Sequence, residues 1–115
     1  MTVNEFLDIF PERSFYNEPD GNLTRKKCAE IIHLFLQKVL REKDEIGIEK
    51  AYFIKDLFDC RVCANHIAQV YLKGIMFPRK LADDLFLFEP EKEVDREDAE
   101  LYLQRALNIE LRPKV

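Results

Sequence analysis

The sequence predicts an all-α fold, a small bundle of about four to five helices in a single domain spanning residues 1–115. Three observations predict it. Apolar residues recur at helical spacing in three separate stretches. Cap-forming residues and glycine stand at the ends of those stretches. No stretch alternates apolar and polar residues long enough to demand a sheet. A chain of 115 residues suits one core and needs neither disulfides nor metal to be stable.

The first element is short. Val3, Phe6, Leu7, Ile9 and Phe10 read as a helix over residues 3–10, stopped by Pro11. Residues 11–22 read as a loop, with Pro19-Asp20-Gly21-Asn22 as its turn signal. Thr24 is the expected N-cap of a central helix with apolar residues at positions 28, 31, 32, 35, 36, 39 and 40. That helix should end in Arg41-Glu42-Lys43-Asp44, before Gly47. Residues 48–58 carry Ile48, Tyr52, Phe53, Ile54, Leu57 and Phe58 with no clear period, and read as a short helix or irregular segment.

Asp59 is the expected cap of the next helix, in which Cys63, Ile67, Val70 and Tyr71 share a face and Gly74 is the C′ residue. Residues 78–88 should make a helical turn followed by an extended piece. The last helix should open at Asp95, with Asp98 three residues on, and bury Ala99, Tyr102, Leu103 and Ala106.

The 18 basic and 22 acidic residues leave a net charge of −4, the opposite of a nucleic-acid binder. The one basic cluster, Arg25-Lys26-Lys27, reads as a solvated helix turn. No apolar run approaches the ~18 residues of a membrane span. The first residues lack the basic and apolar regions of a signal peptide. The expected location is therefore the cytoplasm, or the cell surface if the chain is a fragment of a secreted protein. Three cysteines, an odd number, argue against a secreted disulfide framework and fit a reducing compartment.

One unit occurs twice at a constant offset of 71 residues. The first copy is Phe15…Pro19…Leu23-Thr24-Arg25…Cys28…Ile31-Ile32…Leu36. The second is Phe86…Pro90…Val94-Asp95-Arg96…Ala99…Tyr102-Leu103…Leu107. In each, a cap is followed by an arginine in the first helical turn. A cation there opposes the helix dipole, at about 0.3–1 kcal/mol when exposed. Its recurrence suggests a job: a hydrogen bond to a neighbouring loop carbonyl or carboxylate, which is the plainer reading, or ligand binding.

The repeat resembles the S-layer homology module. The fuller copy, about residues 50–109, has Asp56 near its start, Lys73-Gly74-Ile75 ending a helix, Phe88-Glu89-Pro90 in place of Phe-x-Pro, and Val94-Asp95-Arg96-Glu97-Asp98 in place of Thr-Arg-Ala-Glu. A half copy, about residues 11–45, keeps Leu23-Thr24-Arg25-Lys26-Lys27. Cys63-Ala64 stands where the family usually has Trp-Ala, and Met76-Phe77-Pro78 replaces its glycine-rich turn. The resemblance implies a helical bundle of such units, usually in threes, that binds secondary cell-wall polysaccharides at bacterial envelopes. It implies ligand-binding roles for Arg25 and Arg96, with their caps Thr24 and Asp95. With one and a half repeats, it also implies an open flank that a second copy or a partner protein would cover.

Other chemistry is weaker. Cys60, Cys63 and His66 lie within about 60° of one helical face, so a zinc site is an alternative, with Cys28 or His33 as further ligands. Cys60-Arg61-Val62-Cys63 at a helix start would suit redox chemistry, though no strand precedes it. The plainer reading makes Cys63 a small core residue and Cys60 incidental. His33 reads as a satisfied, partly buried side chain. The adjacent pairs Asp83-Asp84 and Glu97-Asp98 do not face one point. Pro19-Asp20-Gly21-Asn22 has the composition of a calcium loop, but Lys27 is read at the position of its bidentate Glu, so calcium is rejected. No phosphate loop or serine nucleophile elbow is present.

The expected function is thus a non-enzymatic, cofactor-free interaction module that binds a protein partner or itself. Cell-wall polysaccharide binding is the alternative, and a thiol or zinc site the third.

Overall fold

The computed structural model describes all residues from 1 to 115. Four α-helices are present: α1 (Val3–Asp8), α2 (Arg25–Lys38), α3 (Ala64–Leu72) and α4 (Arg96–Leu107). Three short 3-10 turns add to them, at Ile48–Ala51, Leu57–Asp59 and Ile109–Leu111. The chain also forms an antiparallel hairpin of β1 (Arg79–Ala82) and β2 (Leu85–Leu87). The fold is therefore mixed α and β, which corrects the all-α expectation.

The hairpin lies where a helical turn was expected, and the reason it was not legible is physical. All four residues of β1 are exposed and all three of β2 are half-buried, so neither strand has an inside and an outside to alternate between. A bulge between Lys80 and Ala82 further breaks the register. Phe86 also bridges to Ile54, and the Lys55 amide donates to the Phe86 carbonyl at 2.9 Å.

Helix α2 forms the centre. Thr24 caps it by accepting from the Lys27 amide, and Cys28, Ile31, Ile32, Phe35 and Leu36 are fully buried. Phe10 packs edge-to-face on both Phe6 and Phe35, which fixes α1 against α2. Helix α3 covers the other side of α2 with Ile67, Ala68 and Val70. Its N-cap is Cys63; Asp59, the expected cap, ends the preceding 3-10 turn instead. Gly74 closes α3 at φ +75°, with its amide on Tyr71 O and the Ile75 amide on Val70 O, a Schellman end. The carbonyl of Pro113 passes so close that a Cβ on Gly74 would lie 2.2 Å from it.

Three helix starts meet at one point. Met1, Leu23 and Val94 each immediately precede an N-cap: Thr2, Thr24 and Asp95. Their backbones close a ring. Leu23 N donates to Met1 O at 2.9 Å, Val94 N to Leu23 O at 2.8 Å, and the Met1 amine to Val94 O at 3.4 Å. Isolated bridges Thr2–Asn22 and Thr24–Glu93 flank it. This is a pseudo-threefold hub. Its third member, Met1-Thr2-Val3-Asn4-Glu5-Phe6, carries a complete capping box between Thr2 and Glu5. The start of α1 takes the third place at this hub.

Candidate functional site

Arg25 sits in the first turn of α2 and reaches into the second copy. Its Nε donates to Phe88 O and its Nη2 to Phe77 O, both at 2.7 Å, and Nη1 donates to the Tyr102 hydroxyl at 3.0 Å. The guanidinium lies 4.5 Å from the centre of the Phe88 ring. Burial raises the Tyr102 pKa, and the Arg25 charge partly offsets this. The backbone amides of Arg25 and Lys26 are also taken, by Lys92 O and Pro90 O. Those carbonyls satisfy the amide groups a helix start leaves free, so the N-terminus of α2 is closed.

The loop that Arg25 grips is held from its other side. Asp56 is buried, and its carboxylate accepts from the Phe88 amide at 2.7 Å and the Glu89 amide at 2.9 Å. This pins Glu89 in the left-handed region at φ +60°. Beside Arg25 lies a cavity of about 100 Å³ that also includes Arg79, Lys92 and Tyr102.

Arg96 occupies the matching position of the second copy in a different setting. Its side chain is 52% exposed and makes loose ion pairs with Glu100 at 3.6 Å and Glu5 at 4.0 Å. Thr24 and Asp95 spend side-chain oxygens on helix caps. Of the four residues, only Arg25 lines a cavity, so the structure does not gather them into one site.

A second constellation surrounds the cysteines. Cys60 and Cys63 are joined as a disulfide, and Cys28 is a free, fully buried thiol. Burial drives the Cys28 pKa far above its ordinary value, so that thiol is inert. While bonded to each other the two sulfurs are not thiolate ligands, and Cys60, Cys63 and His66 are not gathered as a metal-holding group in this form. Cys60 is likewise a bonded partner rather than an incidental residue.

His66 instead pairs with His33. The ring nitrogens His33 Nδ1 and His66 Nδ1 are 2.8 Å apart, and His33 Nε2 is 2.6 Å from Asp44 Oδ1. Burial alone would raise the Asp44 pKa. The hydrogen bond and charge of His33, with Asn65 and Gln37, outweigh it and hold the carboxyl below its ordinary range. An ionised Asp44 is an acceptor only, so His33 Nε2 is the donor. When His33 is neutral it accepts at Nδ1 from His66 Nδ1–H, which leaves the lone pair on His66 Nε2; when His33 carries the charge, it donates from Nδ1 to His66 instead. Burial, then the nearby His33, lower the His66 pKa and favour this neutral form.

His66 and both cysteines line a cleft of about 370 Å³, with Lys26, Lys27 and Glu30 along α2. A neighbouring cleft of about 510 Å³ shares Cys60 and Lys26 with it. The signal for His66 was its position three residues after Cys63. Its pairing with His33, 33 residues away, and through His33 with Asp44, is a tertiary fact that spacing does not carry.

No family model and no curated protein sequence matches the chain. Among solved structures, the fold is similar to part of the undecaheme cytochrome from the S-layer of Carboxydothermus ferrireducens. The TM-score is 0.72 over 99% of this chain, at 16% sequence identity. The chain spans 18% of the length of that protein. At this identity the likeness is one of fold. The one Cys-x-x-Cys sequence here is followed by Ala64, whereas attachment of a c-type haem requires His at that position. No helix is long and apolar enough to cross a membrane.

Proposed function

We propose that this chain is a non-enzymatic interaction module of a bacterial surface layer that associates with further copies of itself. The observation that carries the surface assignment is the fold likeness, over nearly the whole chain, to part of a protein named for its S-layer. Three helix starts around one hub support the resemblance to S-layer homology modules, which come in threes. The disulfide fits an oxidising exterior better than a reducing cytoplasm.

The contact surface is assigned to Tyr52 and Phe58. They pack edge-to-face with ring centres 5.3 Å apart, yet are 52% and 53% exposed. Exposed aromatic residues of this kind anchor protein interfaces. A second reading, binding of an acidic cell-wall polysaccharide, is favoured by the exposed guanidinium of Arg96. Arg25 does not serve it: its guanidinium is held by protein acceptors, and its cavity of about 100 Å³ is too small for a sugar.

Light scattering during size exclusion, across a range of concentrations, tests the first reading. A mass that rises above the monomer, and stays monomeric in a Tyr52→Ser/Phe58→Ser variant, is the expected result. A monomer at every concentration refutes it. Pelleting with cell-wall sacculi that is lost in Arg96→Ala would establish the second reading in its place.

A further inference from the structure

The geometry points to a further activity, independent of the interaction reading: Cys60–Cys63 is an exchange-active disulfide that accepts two electrons from an external dithiol, with His66 carrying the proton of the Cys63 thiol and His33 and Asp44 positioning His66. Four observations lead to it.

The disulfide is poorly placed for stabilising the fold. It closes the loop Cys60-Arg61-Val62-Cys63, and loop-closure stabilisation is smallest for so short a loop. The core is built from other residues, with Cys63 only packed against its edge. The disulfide is also open to attack. Cys60 borders both clefts, and the intervening Arg61 and Val62 are exposed.

The leaving sulfur has a place to hold charge. Cys63 is the N-cap of α3, a nine-residue helix, and makes no side-chain cap bond while oxidised. The first-turn amides of Asn65 and His66 have no acceptor within the chain. A thiolate at Cys63 would meet those amides and the positive end of the helix dipole. A base is poised as well. His66 lies one turn after Cys63, in the same cleft, with its ring oriented by the Asp44–His33 chain, which leaves Nε2 as the base when His33 is neutral.

The exchange balances as follows. His66 Nε2 takes the proton of the incoming thiol, whose thiolate attacks Cys60 Sγ. The Cys60–Cys63 bond breaks and its electron pair goes to Cys63 Sγ. The imidazolium returns its proton there. The second thiol of the co-reactant loses its proton and attacks its own sulfur in the mixed disulfide. Cys60 leaves as a thiolate and takes up that proton. The dithiol becomes a disulfide, and Cys60 and Cys63 become two thiols.

The test uses the full oxidised chain, dithiothreitol as the dithiol, and intact mass after alkylation as the count of free thiols. Cys28 is fully buried, so labelling of the folded chain reads Cys60 and Cys63 alone. The expected result is two reversible thiols with the circular dichroism of the folded chain retained. Cys60→Ser, introduced into each of the chains compared, removes the other accessible thiol, so that the alkylation rate against pH then reports the Cys63 thiol. Besides the cysteines, the groups facing His66 are His33, Glu30, Lys26 and Lys27 from α2, and Asp44 from the following loop. Wild type should titrate below the ordinary thiol value of about 8.5.

His66→Gln should raise that midpoint and slow alkylation at neutral pH by about ten-fold or more, with Asp44→Asn intermediate. A disulfide that reduces only when the chain unfolds overturns the proposal. So does a folded His66→Gln variant whose profile superimposes on wild type. If that variant does not fold, a wild-type midpoint at or above about 8.5 is decisive against it.

Discussion

Replacing Arg25 tests whether the first motif arginine is an anchor between copies. Arg25→Ala removes two hydrogen bonds of 2.7 Å to loop carbonyls, one of 3.0 Å to the Tyr102 hydroxyl, and a guanidinium 4.5 Å from the Phe88 ring. Hydrogen bonds from charged donors contribute about 1.5–3 kcal/mol and an exposed cation–π contact about 0.5–1. The lower ends for the two carbonyl bonds and the ring give about 3.5 kcal/mol. The Tyr102 bond is left out, to offset the desolvation of the guanidinium in the native state.

Urea unfolding followed by circular dichroism should show that loss with an unchanged m-value. The Tm should fall by roughly 12–15 °C, at about 4 °C per kcal/mol for a domain of this size. Arg25→Lys keeps the charge but replaces a planar fork by a single ammonium, and should lose roughly half as much. Arg96→Ala, at an exposed site with loose ion pairs, should stay within about 0.5 kcal/mol of wild type. A loss under about 1 kcal/mol for Arg25→Ala would refute the anchoring role and return Arg25 to the list of groups available to a ligand.

Further predictions follow from the same contacts. Gly74→Ala places a Cβ 2.2 Å from Pro113 O at φ +75°, so the C-terminal tail must detach, which limited proteolysis after Arg105 and Arg112 will detect. Glu42→Gln strips the partner from the nearly buried Lys73 and Arg112 and should cost about 3 kcal/mol in urea unfolding. Burial opposes ionisation of Glu42, but hydrogen bonds from Arg112 and Lys73 prevail and lower its folded pKa. Its contribution is therefore present above the unfolded value and is lost as pH falls through the lower folded one. The urea midpoint of wild type should drop from about pH 5 downward, and less steeply in Glu42→Gln. Asp56→Ala leaves the Phe88 and Glu89 amides without acceptors, and hydrogen exchange at those two amides should accelerate.

The parts legible in the sequence are those whose causes are local. Thr24 and Asp95 cap the helices they were expected to cap, and Ala99, Tyr102, Leu103 and Ala106 form the buried stripe of α4. Gly74 is the C′ residue because only a positive φ ends α3 there. The hairpin was hidden because its stability comes from pairing to Ile54 and from each strand to the other, not from an apolar face. The His33–His66 contact and the Lys73–Glu42–Arg112 cluster were hidden for another reason. Each joins groups whose approach depends on how α2, α3 and the tail pack.

Equivalence in sequence does not make the three hub positions equivalent in chemistry. The residue after each cap is Val3, Arg25 and Arg96 in turn. Val3 is fully buried under its own helix. Arg25 is drawn inward because the loop around Phe77 and Phe88 presents carbonyls to it, and those carbonyls have no other use for their lone pairs at that distance. Arg96 meets only the carboxylates of Glu5 and Glu100 and stays in solvent. The backbone follows the same order. At α2 the Arg25 and Lys26 amides are covered by the carbonyls of Lys92 and Pro90, whereas at α4 the Arg96 and Glu97 amides have no acceptor within the chain. One helix start is sealed by the fold and the other is left open beside an exposed guanidinium. The start of α4 is therefore the hub position most open to solvent, that of α2 is closed by loop carbonyls, and that of α1 lies between, with its Val3 amide covered by Gly21 O.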